Sequence, residues 1–212
     1  MADGGSAAAA RGDATKDRIV EAAIETLTRE GYAGTSARAI AATGGFNQAL
    51  IFYHFGSVRD LMIAALDRTS ALRMAAYRSA AEAASDLVQL TGVAGRIYRE
   101  DLASGHVKVM VELIAGASSD PALAPEIVAR IEPWIRFARE EAERIGAGSP
   151  LAALVPPDDA AYAIVALFLG LELLNHLEGD TARTEHLFEV ANGLAAMVTD
   201  LGLMPPPTGG AS

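Results

Sequence analysis

Four polar side chains crowd the short segment from Asn47 to His54, and their types suit one kind of chemistry. Asn47 and Gln48 carry amides, Tyr53 a phenol and His54 an imidazole. A glutamine amide can pair with adenine through two hydrogen bonds, and an arginine such as Arg38, a little upstream, can do the same with guanine. Ser36, Asn47 and Ser57 fall at or near expected helix N-termini, where hydroxyl, amide and backbone N–H groups suit phosphate oxygens. Other chemistries lack their residues. The chain has no cysteine, which excludes disulfides, cysteine nucleophiles and thiolate metal sites. Its four histidines, His54, His106, His176 and His186, never pair at H-x-x-x-H spacing. There is no glycine-rich phosphate loop and no G-x-S-x-G elbow. Glu140-Glu141 and Asp158-Asp159 read most simply as solvated helix ends. No catalytic residue, metal or cofactor is expected; a carboxylate–histidine pair assembled from distant helices is the alternative that leaves no sequence signature.

The elements that would position these residues are helical throughout. Alanine is abundant, β-branched runs are few and no strand period survives, which favours an all-α fold. Residues 1–14 and 205–212 are expected as a disordered arm and tail. Ile19, Val20, Ala23, Ile24 and Leu27 recur at helical spacing and predict a helix over about 15–30, stopped by Gly31. A short second helix follows, capped by Thr35 or Ser36, with Ala39, Ile40 and Ala42 inward; Gly44-Gly45 ends it. Asn47 caps a third helix, Phe46 can staple onto Ile51, and the helix stops at Phe55-Gly56. Ser57-Val58-Arg59-Asp60 is a capping-box start for a linker helix over 57–83. Further helices are expected over about 87–102 (with a break at Gly92 or Gly95), 103–117, 125–145, 158–177 and 184–201, with a loop over 146–157. That makes about nine helices.

Two short helices across a glycine turn form a helix-turn-helix, whose second helix can lie in the major groove. Ile51 and Phe55, four apart, would face the domain core and leave Asn47, Gln48, Tyr53 and His54 outward. A small helical subdomain with a solvated polar face fits the same pattern. Charge does not choose between them. The whole chain carries −10, of which residues 1–60 account for −1 and residues 61–212 for −9. The acidity lies mostly outside the segment, yet the segment is no basic patch.

The run TSARAIAATGGFNQALIFYHFGSVRDL, beginning at Thr35, resembles the signature of the TetR family, a helix-turn-helix followed by an aromatic "LYxHF" segment and a capped fourth helix. The resemblance extends over about 15–72. It identifies Ile40-Ala41 with the family's second helix, Gly45 with its turn and Ile51-Phe52-Tyr53-His54-Phe55 with its recognition helix. It implies base contacts through Arg38, Gln48, Ala49, Tyr53 and His54. It also implies phosphate contacts through Ser36, Asn47 and Phe52 and the start of the fourth helix, with Leu50 and Ser57 in the same surface. Two departures stand out. Phe52 replaces the usual tyrosine and Val58 the usual lysine, so a hydroxyl and a charge for phosphate are lost. A shallower salt dependence is expected.

The resemblance fades beyond about Ala75. It implies a helix-turn-helix domain over 15–60 and a C-terminal ligand-binding and dimerisation domain over 61–204. The expected function is a bacterial, cytoplasmic regulator, most simply a repressor, that leaves a pseudo-palindromic operator on double-stranded DNA when a small-molecule effector binds. The rival reading is a helical interaction module that has lost DNA binding, for which Val58, Phe52 and the acidity speak. A homodimer is implied through the last two helices, with Tyr162, Val165, Phe168 and Leu169 on one stripe and Leu187, Val190, Leu194 and Met197 on another. Pocket candidates are Leu102, His106, Met110, Trp134, Phe137, Glu172 and His176, an apolar set with a few polar groups. The apolar run over 160–171 is too short to span a bilayer, so no membrane partner is expected. Nor do the first residues read as a signal peptide.

Overall fold

Alanine-rich segments punctuated by glycine and proline fold into helices and little else. The computed structural model describes residues 4–104 and 106–204, with side chains over 12–102 and 107–204. Among these residues there are ten helices and no strand: α1 (Gly4–Gly34), α2 (Ala37–Gly44), α3 (Ala49–Phe55), α4 (Val58–Glu82), α5 (Leu87–Ser104), α6 (His106–Gly116), α7 (Leu123–Gly146), α8 (Pro150–Leu154), α9 (Pro157–Glu178) and α10 (Ala182–Asp200). The tenth is α8, in the stretch expected as a loop. Ser149 caps it by accepting a hydrogen bond from Ala152 N–H, and Pro150 opens it, a favoured first position because proline's missing N–H has no helical partner there anyway. Helix α5 runs unbroken through Gly92 and Gly95. Residues 4–14, expected as part of an arm, belong to α1, whose alanines over 7–10 are the strongest helix formers. The expected tail over 205–212 lies outside the described residues.

The chain divides into two compact units, Met1–Ala71 with Lys108–Val128, and Leu72–Val107 with Ala129–Ser212. The first unit thus takes in more than the expected 15–60: most of α6 and the start of α7 group with it.

In the first unit α1 and α2 pack together. The apolar stripe Ile19, Val20, Ala23 and Leu27 is buried, as are Ile40 and Ala41 on α2. Ala41 rather than Ala42 faces inward, because it is adjacent to Ile40 on the covered arc while Ala42 rotates out to solvent. Gly31, with φ 72°, breaks α1 where a stop was expected. The Thr35 hydroxyl donates to its carbonyl at 2.7 Å.

In the second unit α5 and α10 pack together, and Thr91 donates to Asn192 across them at 3.0 Å. Tyr77, Ala81, Ile97 and Phe137 form a buried apolar cluster, with Trp134 and Phe168 against it. A polar layer is buried beside it. Arg73 donates from Nε to Asp101 at 2.9 Å and from Nη2 to Glu172 at 2.5 Å. Asn175 donates to the Tyr98 hydroxyl at 3.1 Å and accepts from Thr184 at 2.8 Å. Burial opposes the Arg73 charge, but Glu172 and Asp101 outweigh it and hold the guanidinium above its ordinary value. Burial raises the Glu172 carboxyl above its ordinary 4.5, against the pull of Arg73.

The raised carboxyl has a consequence for stability. A proton on Glu172 is held more tightly in the folded chain than in the unfolded one. Its contribution is therefore complete below about 4.5 and is lost as pH rises through the folded value. Glu172→Gln, which does not titrate, is expected to gain stability relative to the natural chain across that rise. Urea midpoints of both proteins over a pH series measure it, and a midpoint difference that stays constant with pH would contradict the assignment.

Candidate nucleic-acid interface and its surroundings

Helix α3 has only seven residues, too few to persist alone in water. Its ends and one face are secured locally. The turn before it depends on two glycines. Gly45 adopts φ 64° and caps α2 through a hydrogen bond from its N–H to the Ala41 carbonyl. A Cβ on Gly44 would come within 2.2 Å of the Phe46 ring and 2.8 Å of Ala22. The Arg18 guanidinium lies 5.6 Å from the centroid of the same Phe46 ring. Phe46, expected as a staple onto Ile51, is thus seated against Gly44 and Arg18. Asn47 Oδ1 accepts from Ala49 N–H at 2.9 Å, so Asn47 answers the first helical N–H from one residue before the Gln48 cap position. Ile51 is fully buried. Gly56 N–H closes the far end on the Phe52 carbonyl at 3.0 Å.

What remains of α3 faces outward. Tyr53 is 81% exposed and stands edge-on to His54 with ring centroids 4.9 Å apart. Asn47, Gln48 and Ala49 are exposed, and Leu50 and His54 are half-buried. Phe52 is also exposed. On α2, Arg38 is exposed, while Ser36, also exposed, accepts from Ala39 N–H at 3.2 Å as the N-cap. Ser57 and Asp60 close the expected capping box: Asp60 N–H donates to Ser57 Oγ at 3.0 Å, and the hydroxyl donates back to the carboxylate at 2.6 Å. Ser36, Asn47 and Ser57 are therefore committed to helix starts.

Arg59 does not take over the charge missing at Val58. Its Nε and Nη2 donate to Asp120 at 2.7 and 3.0 Å, and Tyr32 OH donates to the same carboxylate at 3.4 Å. The hydrogen bonds from Arg59 hold Asp120 below its ordinary value. Tyr32 N–H also donates to Glu112 at 2.9 Å. These contacts tie the ends of α1 and α4 to α6 and the α6–α7 turn. They border an open pocket of about 500 Å³ lined by Tyr32, Thr35, Val58, Met62 and their neighbours. None of the expected pocket residues lines it.

Those residues separate. Trp134, Phe137 and Glu172 belong to the buried layer of the second unit. Met110 is buried in the first unit. Leu102 is half-buried and His176 exposed. The His106 side chain lies outside the described residues. Sequence reasoning passed over Arg73, Tyr77, Tyr98, Asp101 and Phe188. The signal was a charge within an apolar helical stripe: Arg73 precedes Tyr77 by one turn, and Asp101 follows Ile97 by one.

The expected dimer stripe on α9 also needs correction. Phe168 packs inward, with ring centroids 5.4 Å from Tyr98 and 5.9 Å from Phe188, and Val165 and Leu169 are half-buried. The outer face instead carries Tyr162, Ile164, Leu167, Leu174 and Leu177. A 22-residue helix offers apolar positions all round, and the inward arc is set by Ala161, Leu171, Glu172 and Asn175. On α10, Leu187, Val190, Leu194 and Met197 are exposed. Helix α9 is longer than the apolar run suggested and passes the length and hydropathy test for a bilayer span, with mean hydropathy 1.6. Its buried Glu172 is bound to Arg73.

The α2–turn–α3 unit is a helix-turn-helix of the DNA-reading class. Residues 19–65 match the family model of the bacterial regulatory proteins of the TetR family. A curated relative, the HTH-type transcriptional repressor NicS of Pseudomonas putida, is 34% identical over 59 residues; that match spans 28% of each chain. A TetR-family member from Streptomyces coelicolor A3 is 29% identical with a TM-score of 0.60, over 90% of this chain and 98% of that one. The multidrug binding protein EbrR solved with imidazole is 26% identical with a TM-score of 0.61, over 92% and 97% of the two chains. Its complex with malachite green gives 27%, 0.58, 90% and 98%.

Side chains that build this surface and side chains that merely occupy it respond differently to truncation. Ile51→Ala is expected to cost about 2–5 kcal/mol and Ser57→Ala about 1 kcal/mol. Tyr53→Ala is expected to stay within about 0.5 kcal/mol of the natural chain. Urea unfolding of the three variants checks the order.

Proposed function

We propose that the chain is a transcriptional repressor that binds a two-fold symmetric operator as a homodimer and releases it when a small molecule occupies the second unit. The observation that carries this reading is the outward face of α3. A large aromatic side chain stands 81% exposed on a helix otherwise secured by caps and Ile51. Exposure of that kind costs nothing when the face is covered by DNA. Tyr53, His54 and Gln48 would meet base edges, and Arg38 would add a guanine contact from α2. NicS, 34% identical over 59 residues, is named a transcriptional repressor.

Dimerisation is supported by the apolar outer faces of α9 and α10, where Leu167, Leu174, Leu187, Leu194 and Met197 are exposed. Exposed apolar side chains of this kind mark an interaction surface, and a two-fold pairing would supply two recognition helices for half-sites roughly 34 Å apart. The EbrR complexes with imidazole and malachite green lend support to a small-molecule effector. An effector could shift occupancy only through unequal affinity for two conformations, with α4, which contributes residues to both units, as the connecting element.

Gel-shift titration of the full chain with DNA from around its own gene, at two salt concentrations, tests the reading. Specific binding by a sedimenting dimer is expected, weakened about tenfold or more by Arg38→Ala and by Tyr53→Ala. The salt dependence is expected to be shallow, since Val58 supplies no charge and Arg59 is held by Asp120. A folded dimer whose DNA binding is unaffected by both substitutions would refute the assignment of α3.

A further inference from the structure

One ion pair of the first unit ties up a cation close in sequence to α3. Arg59 stands in the first turn of α4, three residues after Gly56 closes α3, and its side chain is 47% exposed. Its guanidinium meets Asp120 edge to edge: Nε donates to Oδ2 at 2.7 Å and Nη2 to Oδ1 at 3.0 Å. Two parallel hydrogen bonds to two oxygens are also the way arginine grips a phosphate. Asp120 is no sequence neighbour of Arg59. It lies in the turn between α6 and α7, within the same compact unit.

That turn is seated independently of Arg59. Tyr32 follows the kink of α1 at Gly31, and its N–H donates to Glu112 at 2.9 Å and its hydroxyl to Asp120 at 3.4 Å. Its ring lies on Gly116, where an added Cβ would come within 2.6 Å of it. Glu112, Gly116 and Asp120, spaced four apart, thus hold one aromatic residue along its length, and the Asp120 carboxylate reaches Arg59 from a fixed place. Folding gains little from the pair, because an ion pair this exposed is screened by water and salt. The helix-turn-helix segment, meanwhile, is short of positive charge. Residues 1–60 carry six Lys/Arg against seven Asp/Glu. Arg29 is bound to Glu25 and Glu30, Arg18 lies over the Phe46 ring, and Val58 brings no charge to the start of α4.

We propose that Asp120 is an affinity-limiting residue for DNA: its carboxylate occupies the guanidinium fork of Arg59, which would otherwise meet a backbone phosphate beside the α3 face. The proposal rests on the reading of α3 as the DNA-reading helix. A phosphate offers the fork the same pair of oxygens as a carboxylate, so the two compete for one set of donors. In the natural chain Asp120 keeps the fork. Without the carboxylate charge the fork passes to DNA, and each bound chain releases one more counterion.

Fluorescence anisotropy of a labelled duplex from around the chain's own gene, over a series of salt concentrations, tests this with the full chain. The natural protein is compared with Asp120→Asn, Arg59→Gln and the double variant. Asp120→Asn keeps the shape of the side chain and an acceptor for Tyr32. It is expected to bind DNA about threefold or more tightly at the lowest salt, with a slope of log affinity against log salt steeper by roughly 0.9 for each chain bound. In the Arg59→Gln background the same substitution is expected to change neither. Asp120→Ala, which leaves no acceptor for the fork, is expected to act in the same direction as Asp120→Asn, and urea midpoints show which variants are folded. An unchanged slope in a folded Asp120 variant overturns the proposal. So does an equal gain with and without Arg59, which would mean that the lost negative charge acts at a distance and not by releasing the fork. The two readings fail differently. Salt-sensitive DNA binding that ignores Asp120 removes this proposal and leaves the regulator. No DNA binding by the folded natural chain or by any folded variant removes both.

Discussion

A helix of seven residues cannot supply its own stability, and the proposed DNA-reading face of this protein is built on one. Everything around α3 makes up that deficit. Gly44 and Gly45 turn the chain tightly enough to bring α3 back onto the unit, and Asn47 answers the Ala49 N–H at its start. Ile51 supplies the buried side and Gly56 the closing turn. Because anchoring is concentrated in so few residues, the outer arc is left for side chains that contribute nothing to the fold. Tyr53 is the plainest of these. The same economy explains why Ser36 and Asn47 serve at helix starts: helices this short are secured at their ends.

The second unit solves a different problem. Its core contains an arginine, an aspartate and a glutamate where apolar packing would suffice. A buried ion pair is weak evidence of stabilisation, because desolvation offsets most of the attraction. Here the layer also leaves Tyr77 and Glu172 partly unanswered. Unit 1 shows the contrasting economy: Arg59 and Tyr32 converge on Asp120, and Tyr32 N–H meets Glu112, so its charged contacts are reciprocated near the start of α4. The charge missing at Val58 and the one committed at Arg59 would make the proposed DNA-facing surface depend on hydrogen bonding and shape more than on net charge, in keeping with a chain of −10.

Much of this was legible in the sequence because local rules govern short elements. The Gly31 stop, the Ser36 and Asn47 caps, the Ser57–Asp60 box and the buried Ile51 all follow from residue type and spacing. Helix α8 was missed because a segment rich in glycine and proline reads as loop, although Ser149-Pro150 is a good helix start. The inward arc of α9 was misjudged for a different reason. A helix apolar on every side carries no period to read, and Phe168 faces the core because Tyr98 and Phe188 are there, neither of them near in sequence. The Arg73 layer was invisible for the same reason: its members come from α4, α5 and α9 and are joined only by folding.

The central claim is that the exposed arc of α3 reads DNA sequence on a two-fold symmetric site. Selection of bound fragments from a random double-stranded pool by the full-length protein addresses it most directly. The account predicts enrichment of one inverted repeat with half-sites about one helical turn apart. Recovery of no enriched sequence by a folded, dimeric protein would contradict it.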